Sequence, residues 1–575
     1  MGLLSGLLSG WLLCSGATCL VAHADEPAPL KPKTSINADL LRVGISDSSM
    51  QNMEYLVTQL SATGPMRIED LGAARVVVEN VPAWTAVTVK VDGQGFKLSG
   101  AGMPPIPLKG PVQFEPLAPQ DRMRVNNITR KGQIPQYRGV LEVTRATSSP
   151  LKLSVVNILP MSDYLKAVVP NELPPRYGME AIKAQAVAAR NYALRPRTKV
   201  WPQFDICDSQ YCQVYFGSHT ETSQTNAALE KTDGLVALYK GELVLALYSS
   251  SHGGYGEAYS NAFSDPDTKQ FPAPPLAYLP GAPDIPSADY GDLRHEENAR
   301  KFWTTRAPSF DVNSPHYRWE KTWTRAQLEA QLNQTLAEVS KTGMTKDFIT
   351  PLFQPGQKIG TLKRVNVLQR GVSGKAMVVQ IEATGGTWTI KKEYVIRKVF
   401  AQGGRMLPSA NIVFSHLTGA GGRLESLKVN GGGFGHGVGM SQLGASYMSG
   451  HGHTFDEIIQ HYYKGAALGT LPLTMGEGHE ALPIHTSFYG YKPTGILYVQ
   501  TTEPDPTKAG PIRMLINDRP VRALPTREQP TAYDVSALLH AGEHNTLTLF
   551  PDEKNPQRKL RAWIEVVPPK TAEAR

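Results

Sequence analysis

The first 24 residues contain no Asp, Glu, Lys or Arg, and this gap in charge is the first informative feature of the chain. Gly2 to Val21 is an apolar run broken by Gly and Ser, and Ala22-His23-Ala24 has the small-x-small pattern of a signal-peptidase site. The stretch reads as a secretory signal removed before Asp25, which would export the mature protein to the periplasm, the cell wall or the extracellular space. The rival is an uncleaved N-terminal anchor, since the segment has no Lys or Arg ahead of its apolar run and about 20 apolar residues can span a bilayer. No later stretch is long and apolar enough to cross, so no transmembrane segment is expected after cleavage. Cysteine is scarce too. Cys14 and Cys19 fall in the signal without the small-residue pattern of a lipobox, and cleavage leaves Cys207 and Cys212. An even pair outside the cytosol favours a disulfide.

Other absences narrow the function. The glycine-dense stretch Val429 to Gly439 is not followed by Gly-Lys-Ser/Thr, which excludes a mononucleotide phosphate loop, and it lacks the parallel βαβ context of a dinucleotide site. No basic cluster or recognition motif supports a nucleic-acid partner. The formal charge of +8, untouched by signal cleavage, suits anionic wall polymers or membrane surfaces instead. Proline and glycine are plentiful at 44 and 52, which favours loops and β-structure over a helical bundle.

Residues 25–40 read as a polar linker. From Leu41 to Thr147 short alternating runs predict strands at 41–46, 74–78, 86–91 and 122–125, with Asp92-Gly93 as a hairpin turn. Met161 to Lys166 predicts one or two helical turns with Ser162 as a candidate N-cap. Then comes Val168-Val169-Pro170-Asn171-Glu172-Leu173-Pro174, followed by the Ala-rich run Ala181 to Leu194. Two prolines with fixed φ predict a stiff, extended turn holding Glu172, and a carboxyl held in that way can have the raised pKa of a general acid. In the helix after it, Ile182, Ala186, Ala189 and Ala193 share a face. Arg190 lies about 140° round from Gln185. Gln185 takes the functional reading, while Arg190 is split between a structural ion pair and a substrate contact.

Further on, Leu235–Tyr239 and Leu243–Tyr248 flank a Lys240-Gly241 turn and predict a hairpin whose second strand delivers Ser249 to Tyr255. Residues 264–316, rich in Pro and Asp, predict a long surface excursion. Arg325 to Leu332 predicts a helix behind Thr324, and Val365 to Val399 predicts strands. A helix is expected from near Met440, its first N–H groups open to oxygen atoms, and another behind the capping box Thr454 to Glu457. From Leu482 onward the alternation predicts a β-sandwich.

The Glu172 turn and the helix after it resemble the signature of the SpoIID/LytB family, the stage II sporulation protein D and amidase-enhancer group. Three further landmarks carry the resemblance: Cys207-Asp208-Ser209-Gln210-Tyr211-Cys212-Gln213-Val214-Tyr215, Ser249-Ser250-Ser251-His252-Gly253-Gly254-Tyr255 and Gly435-His436-Gly437-Val438-Gly439-Met440-Ser441-Gln442-Leu443-Gly444-Ala445. It covers roughly residues 40 to 470 and implies a mixed α+β architecture. A β-rich N-terminal region at 41–147 would lead into a core at 148–475 with an insert near 264–316. Beyond it, Asp534 to Leu547 resembles a turn of galactose-binding-like β-sandwiches, which suggests an accessory domain at 483–575.

The resemblance implies a peptidoglycan lytic transglycosylase or an enhancer of a separate wall amidase, with glycan strands as the partner in either case. A hydrolase of glycosides needs two placed carboxylates, and no second one stands out by motif; a lytic transglycosylase can work with one, and Glu172 is the candidate. Gln185, Arg190, Ser250, Ser251, His436, Ser441 and Gln442 are the candidate substrate-binding residues. Some relatives bind zinc through two cysteines and a histidine just before the second. Tyr211 stands at that place here, so zinc at Cys207 and Cys212 is disfavoured, and no cofactor is expected. A metal reading of His436 with His451, His453 and His461 is weaker than a hydrogen-bonding role. A Ser251-His252 hydrolase is weaker still, because adjacent strand residues point to opposite faces.

Overall fold

The computed structural model describes residues 40–194, 201–286, 290–343, 345–476, 482–502, 511–523, 529–552, 555 and 558–569. The expected signal segment, and the expected linker apart from Leu40, lie outside these residues. The fold is mixed α+β. Nine α-helices occur among the described residues: α1 Met161–Glu172, α2 Met179–Ala193, α3 Ser223–Glu230, α4 Tyr259–Ala262, α5 Glu296–Thr304, α6 Arg325–Val339, α7 Glu393–Val399, α8 Gln442–Gly450 and α9 Phe455–Tyr462. No helix among those residues is long and apolar enough to cross a membrane.

Two sheets make the N-terminal region. One runs, in spatial order, Ile206–Cys207, Leu40–Ile45, Leu153–Pro160, Val140–Arg145, Val112–Pro116, Met66–Asp70 and Arg75–Val81. The other has Val57–Ala62 at its centre and contains the expected hairpin, in which Asp92 faces Gly95 across a turn with Gly93 at φ 56°. Period-two alternation puts Val87 and Val89 of this sheet at full burial. The long antiparallel strand Leu153–Pro160 leads directly into α1, and α1 packs on α2.

Here the structure corrects the sequence reading. Glu172 is not on an extended turn: α1 continues through Pro170 and ends at Glu172, and only Leu173 (φ −137°, ψ 100°) is extended, immediately before Pro174. Tyr164, Leu165, Val168 and Val169 are completely buried, and this packing overrides the penalty of an interior proline. Nor does Ser162 cap the helix, which begins at Met161 behind Pro160 without a side-chain cap.

The segment 264–316 is not a bare excursion. It carries α5, which packs on the strand Ile412–Thr418 and so belongs to a larger folded unit. That unit has a hydrophobic core of its own, running from Trp323 to Val429 and centred on fully buried Trp388. One of its sheets orders Ile349–Thr350, Gly386–Lys391, Ala376–Ala383 and Leu362–Arg370; the other orders Trp319–Thr324, Leu424–Gly431 and Ile412–Thr418. Its helix α6 carries a capping box, Thr324 with Gln327, and outruns the predicted end by seven residues, reaching Val339. Residues 393–399, expected as strand, are helix α7.

The C-terminal strands form two layers, but they are not a separate module. Ile484–Tyr489, His544–Leu549, Ile512–Ile516 and Arg519–Ala523 make one sheet. The other sheet runs Glu242–Leu243, Leu235–Tyr239, Ala467–Thr470, Leu560–Val567, Ile496–Thr501 and Thr531–Asp534, so that core and C-terminal strands share one hydrogen-bonded surface. Asn545, in the galactose-binding-like turn, is buried and holds the carbonyls of His540 and Glu543, which is a structural staple.

Candidate active site

A cleft of about 380 Å³ opens where the sequence landmarks meet. Its floor holds Glu172 at the end of α1, with Tyr192 of α2, Gln210 to Cys212 and Val214 alongside. Leu247 to Ser250, Gly435, His436 and Gln442 continue the same wall.

Strand pairing explains the convergence. Tyr248–Ser249 lies parallel to Met440–Ser441, and Ser251 bridges Phe434. Two glycines make this approach close. Gly435 has φ 106° and a Cβ there would lie 2.7 Å from Cβ of Ser249; Gly439 has φ 76° and a Cβ would lie 2.0 Å from the Leu247 carbonyl oxygen. The glycines thus serve packing between the two signatures rather than approach to a ligand. The start of α8 is also not open to a ligand's oxygens, since Leu443 N–H donates to Ser250 O (3.1 Å) and Gly444 N–H to Ser441 Oγ (3.1 Å).

Glu172 is only partly exposed, and its Oε1 accepts from Val214 N–H at 2.8 Å. Burial pushes its carboxyl up to about 7, opposed by the Val214 N–H and the Gln442 amide, which favour the ionised form. A helix C-terminus works in the same direction as burial, because its partial negative charge disfavours a carboxylate. Gln442 Nε2 donates to the Glu172 carbonyl (3.0 Å) and to Gln185 Oε1 (3.2 Å), which caps the last turn of α1 and ties it to α2. Gln213 adds a second tie: it accepts from Tyr164 Oη and donates to Ala189 O and Tyr248 Oη.

The loop that presents Val214 is itself fixed. Cys207 and Cys212 are joined as a disulfide with Cα atoms 5.6 Å apart. Buried Asp208 accepts from Ser46 N–H, Ser46 Oγ and Arg130 Nη2, the last at 2.6 Å. Among the described residues no group of three or more His, Cys, Asp or Glu is placed to hold a metal ion.

The predicted residues therefore separate. Glu172, Ser250, His436 and Gln442 share the cleft. His436 Nδ1 accepts from Val438 N–H (3.1 Å), which puts the proton of the neutral ring on Nε2, and the ring packs edge-on against Phe263. His453 and His461 flank Phe310 instead, while His451 stacks on Tyr447. Gln185 is fully buried one layer behind and reaches the cleft through Gln442. Ser251 and Ser441 are buried too: Ser251 Oγ donates to Asp311 Oδ2 (2.7 Å), and Ser441 Oγ caps α8. Arg190 is not at the cleft. It is buried, with Nη1 donating to Thr232 O (2.8 Å) and Leu235 O (2.9 Å), and so supports the strand Leu235–Tyr239.

Sequence reasoning missed two groups. Asp311, hidden in the Pro- and Asp-rich stretch, accepts from Ser251 Oγ and from His252 and Gly253 N–H, and so fixes the 249–255 signature. The far wall of the cleft was missed altogether: Glu393, Tyr394 and Arg397 of α7, with Met406 and Phe434. The signal for α7 was present as Glu393 four residues before Arg397 with apolar Val395, Ile396 and Val399, but the β-branched residues masked it.

A family model described as stage II sporulation protein, SpoIID, matches residues 150–239, and one for a domain of unknown function matches residues 268–439. The chain is 30% identical over 312 residues to the amidase enhancer of Bacillus subtilis, covering 53% of this chain and 40% of that protein. It is 28% identical over 315 residues to an uncharacterized protein of Brachyspira hyodysenteriae, covering 54% and 67%. It is 25% identical over 343 residues to stage II sporulation protein D of Bacillus subtilis, covering 55% and 76%. The chain thus spans under half of the amidase enhancer and about three quarters of the sporulation protein. Residues 150–239 are thus a SpoIID-type segment that carries Glu172, and the other landmarks of the SpoIID/LytB resemblance gather round the same cleft.

Proposed function

We propose that this protein is an exported lytic transglycosylase that cuts peptidoglycan glycan strands during cell-wall remodelling, with Glu172 as its general acid and base. The observation that carries the reading is the Glu172 carboxyl on the cleft floor, with a pKa raised to about 7, so that the protonated and ionised forms are both accessible near neutral pH; the cleft's other carboxyl, Glu393, is paired with Arg397 on the far wall. Relatives named amidase enhancer and stage II sporulation protein D support the wall as the place of action.

The steps follow from one proton. Glu172 donates to the glycosidic oxygen, the C1–O bond breaks, and positive charge develops at C1 of the muramyl sugar. The resulting carboxylate takes the proton of that sugar's 6-hydroxyl, whose oxygen bonds to C1. The products are a free hydroxyl end and a 1,6-anhydro end; no water is consumed, and Glu172 regains its proton. Val214 N–H holds the carboxylate between the steps, and Gln442 holds the backbone carbonyl of the same residue. His436 and Ser250 are positioned to orient the sugar.

Incubation of the purified protein with glycan strands should release anhydro-ended fragments, and Glu172→Gln should slow release by about 10²–10⁴-fold while strand binding persists. Near-parental release by the variant would remove Glu172 from the chemistry. Strand binding without any cutting by the parent would favour the second reading, a non-catalytic enhancer of a wall amidase, which one relative's name supports.

A further inference from the structure

The unit matched to a domain of unknown function brings one cation to the cleft. Arg397, on α7, lines the wall opposite Glu172 and keeps only about a tenth of its side-chain surface exposed (11%). Its Nε is used by the Leu407 carbonyl (2.9 Å) and its Nη1 approaches Glu393 Oε2 at 3.4 Å. Among the described residues its Nη2 edge makes no hydrogen bond. Behind the same wall, Lys375 Nζ is completely buried without a hydrogen-bond partner among the described residues, 3.5 Å from where a Cβ on Gly437 would stand. Glu393 stands beside both Lys375 and Arg397, and Glu257 acts on Lys375 as well. A held guanidinium with one edge turned to a cleft is built for a planar anion.

We propose that Arg397 is a specificity residue of the cleft, binding a carboxylate carried by the glycan ligand. The assignment rests on the reading of the cleft as a glycan site. Two sources of that chemistry exist on wall glycan: the lactyl carboxylate, free where no stem peptide is attached, and the carboxylates of the stem peptide itself. Tyr394 on the same helix and Phe434, which is 41% exposed at the rim, flank the position and present ring surface to a sugar.

The test uses the full chain carrying Glu172→Gln, so that bound strands are not consumed, with strands lacking stem peptides, strands bearing them, and both after carbodiimide amidation of their carboxylates. Binding to at least one charged strand should be about ten- to a hundredfold tighter than to its amidated form. Adding Arg397→Gln should erase that difference, and Arg397→Lys should restore part of it. In the cutting protein Arg397→Gln should raise KM more than it lowers kcat. A preference confined to peptide-free strands assigns the lactyl carboxylate; one confined to peptide-bearing strands assigns the stem. Equal binding of charged and amidated strands overturns the proposal without needing any Arg397 variant, and so does a preference that survives Arg397→Gln. An Arg397-dependent preference in a protein that never cuts leaves this assignment standing and removes the transglycosylase reading. Cutting with no charge preference does the reverse.

Discussion

At the residue scale the chemistry rests on Glu172, and its environment makes a prediction that needs no substrate. Its folded-state pKa is raised from 4.5 to about 7 by burial. The native state therefore holds the proton more tightly than the unfolded chain. The stability this confers is complete below about pH 4.5 and is lost as the pH rises through about 7. Glu172→Gln cannot ionise and should escape the loss. Its melting temperature relative to the parent should climb between those two values and then level off. Allowing for its partial exposure, the gain is about 1–3 kcal/mol. A difference that stays flat from pH 4 to 9 would show that the carboxyl is not buried as described. Activity should fall over the upper part of the same window, because the first step needs the protonated acid. Arg190 is the counter-example at this scale. Helical geometry separated it from Gln185, but its turn away from the cleft was decided by the carbonyls of Thr232 and Leu235, which come from residues over forty positions away.

At the element scale the site is a meeting of short segments rather than of whole helices and strands. The pairing of Tyr248–Ser249 with Met440–Ser441 depends on the glycine at 439, where the backbone is left-handed and Leu247 O stands in the place of a Cβ. Gly439→Ala should cost about 3 kcal/mol or more, combining an αL penalty with a clash against backbone that also accepts from Met440 N–H and Tyr463 Oη. A lowered denaturation midpoint and weakened strand binding should appear together; a midpoint within experimental error of the parent's would mean that the two segments are not locked. The elements also show what the amino-acid order could convey. Strands of the N-terminal region, the helix start behind Thr324, the capping box at Thr454 and the Lys240-Gly241 turn were legible because their signals are local: alternation, a hydroxyl ahead of a helical run, a Lys-Gly pair at positive φ. Helix α1 was misread because two prolines speak for extended chain, whereas its burial against α2 is a long-range fact. Helix α7 was misread for the same reason, and with it the far wall of the cleft was lost. Four of the residues that the landmarks named line the cleft, yet Ser251 and Ser441 share their segments and turn inward to Asp311 and the start of α8.

At the scale of the whole molecule the C-terminal strands are part of the core's own sheet, and this decides what a shortened chain would do. Leu560–Val567 pairs with Ala467–Thr470 and Leu473–Met475 on one side and with Ile496–Thr501 on the other. Trp563, 2% exposed, covers Gly241 and packs with Val236, Leu238 and Leu243. A chain ending at residue 476 would expose the edges of Ala467–Thr470 and Leu473–Met475 and that apolar patch together, an invitation to intermolecular pairing. The strand Leu235–Tyr239 also carries the carbonyls held by Arg190 and Asn191 of α2, so the disturbance reaches a helix that lines the cleft. The shortened protein should therefore aggregate on expression or melt about 10 °C or more below the parent, with strand binding lost as well. An independent sandwich predicts the opposite: a soluble core with its melting temperature and strand binding intact. Purifying both chains under identical conditions and comparing their thermal transitions would separate the two architectures.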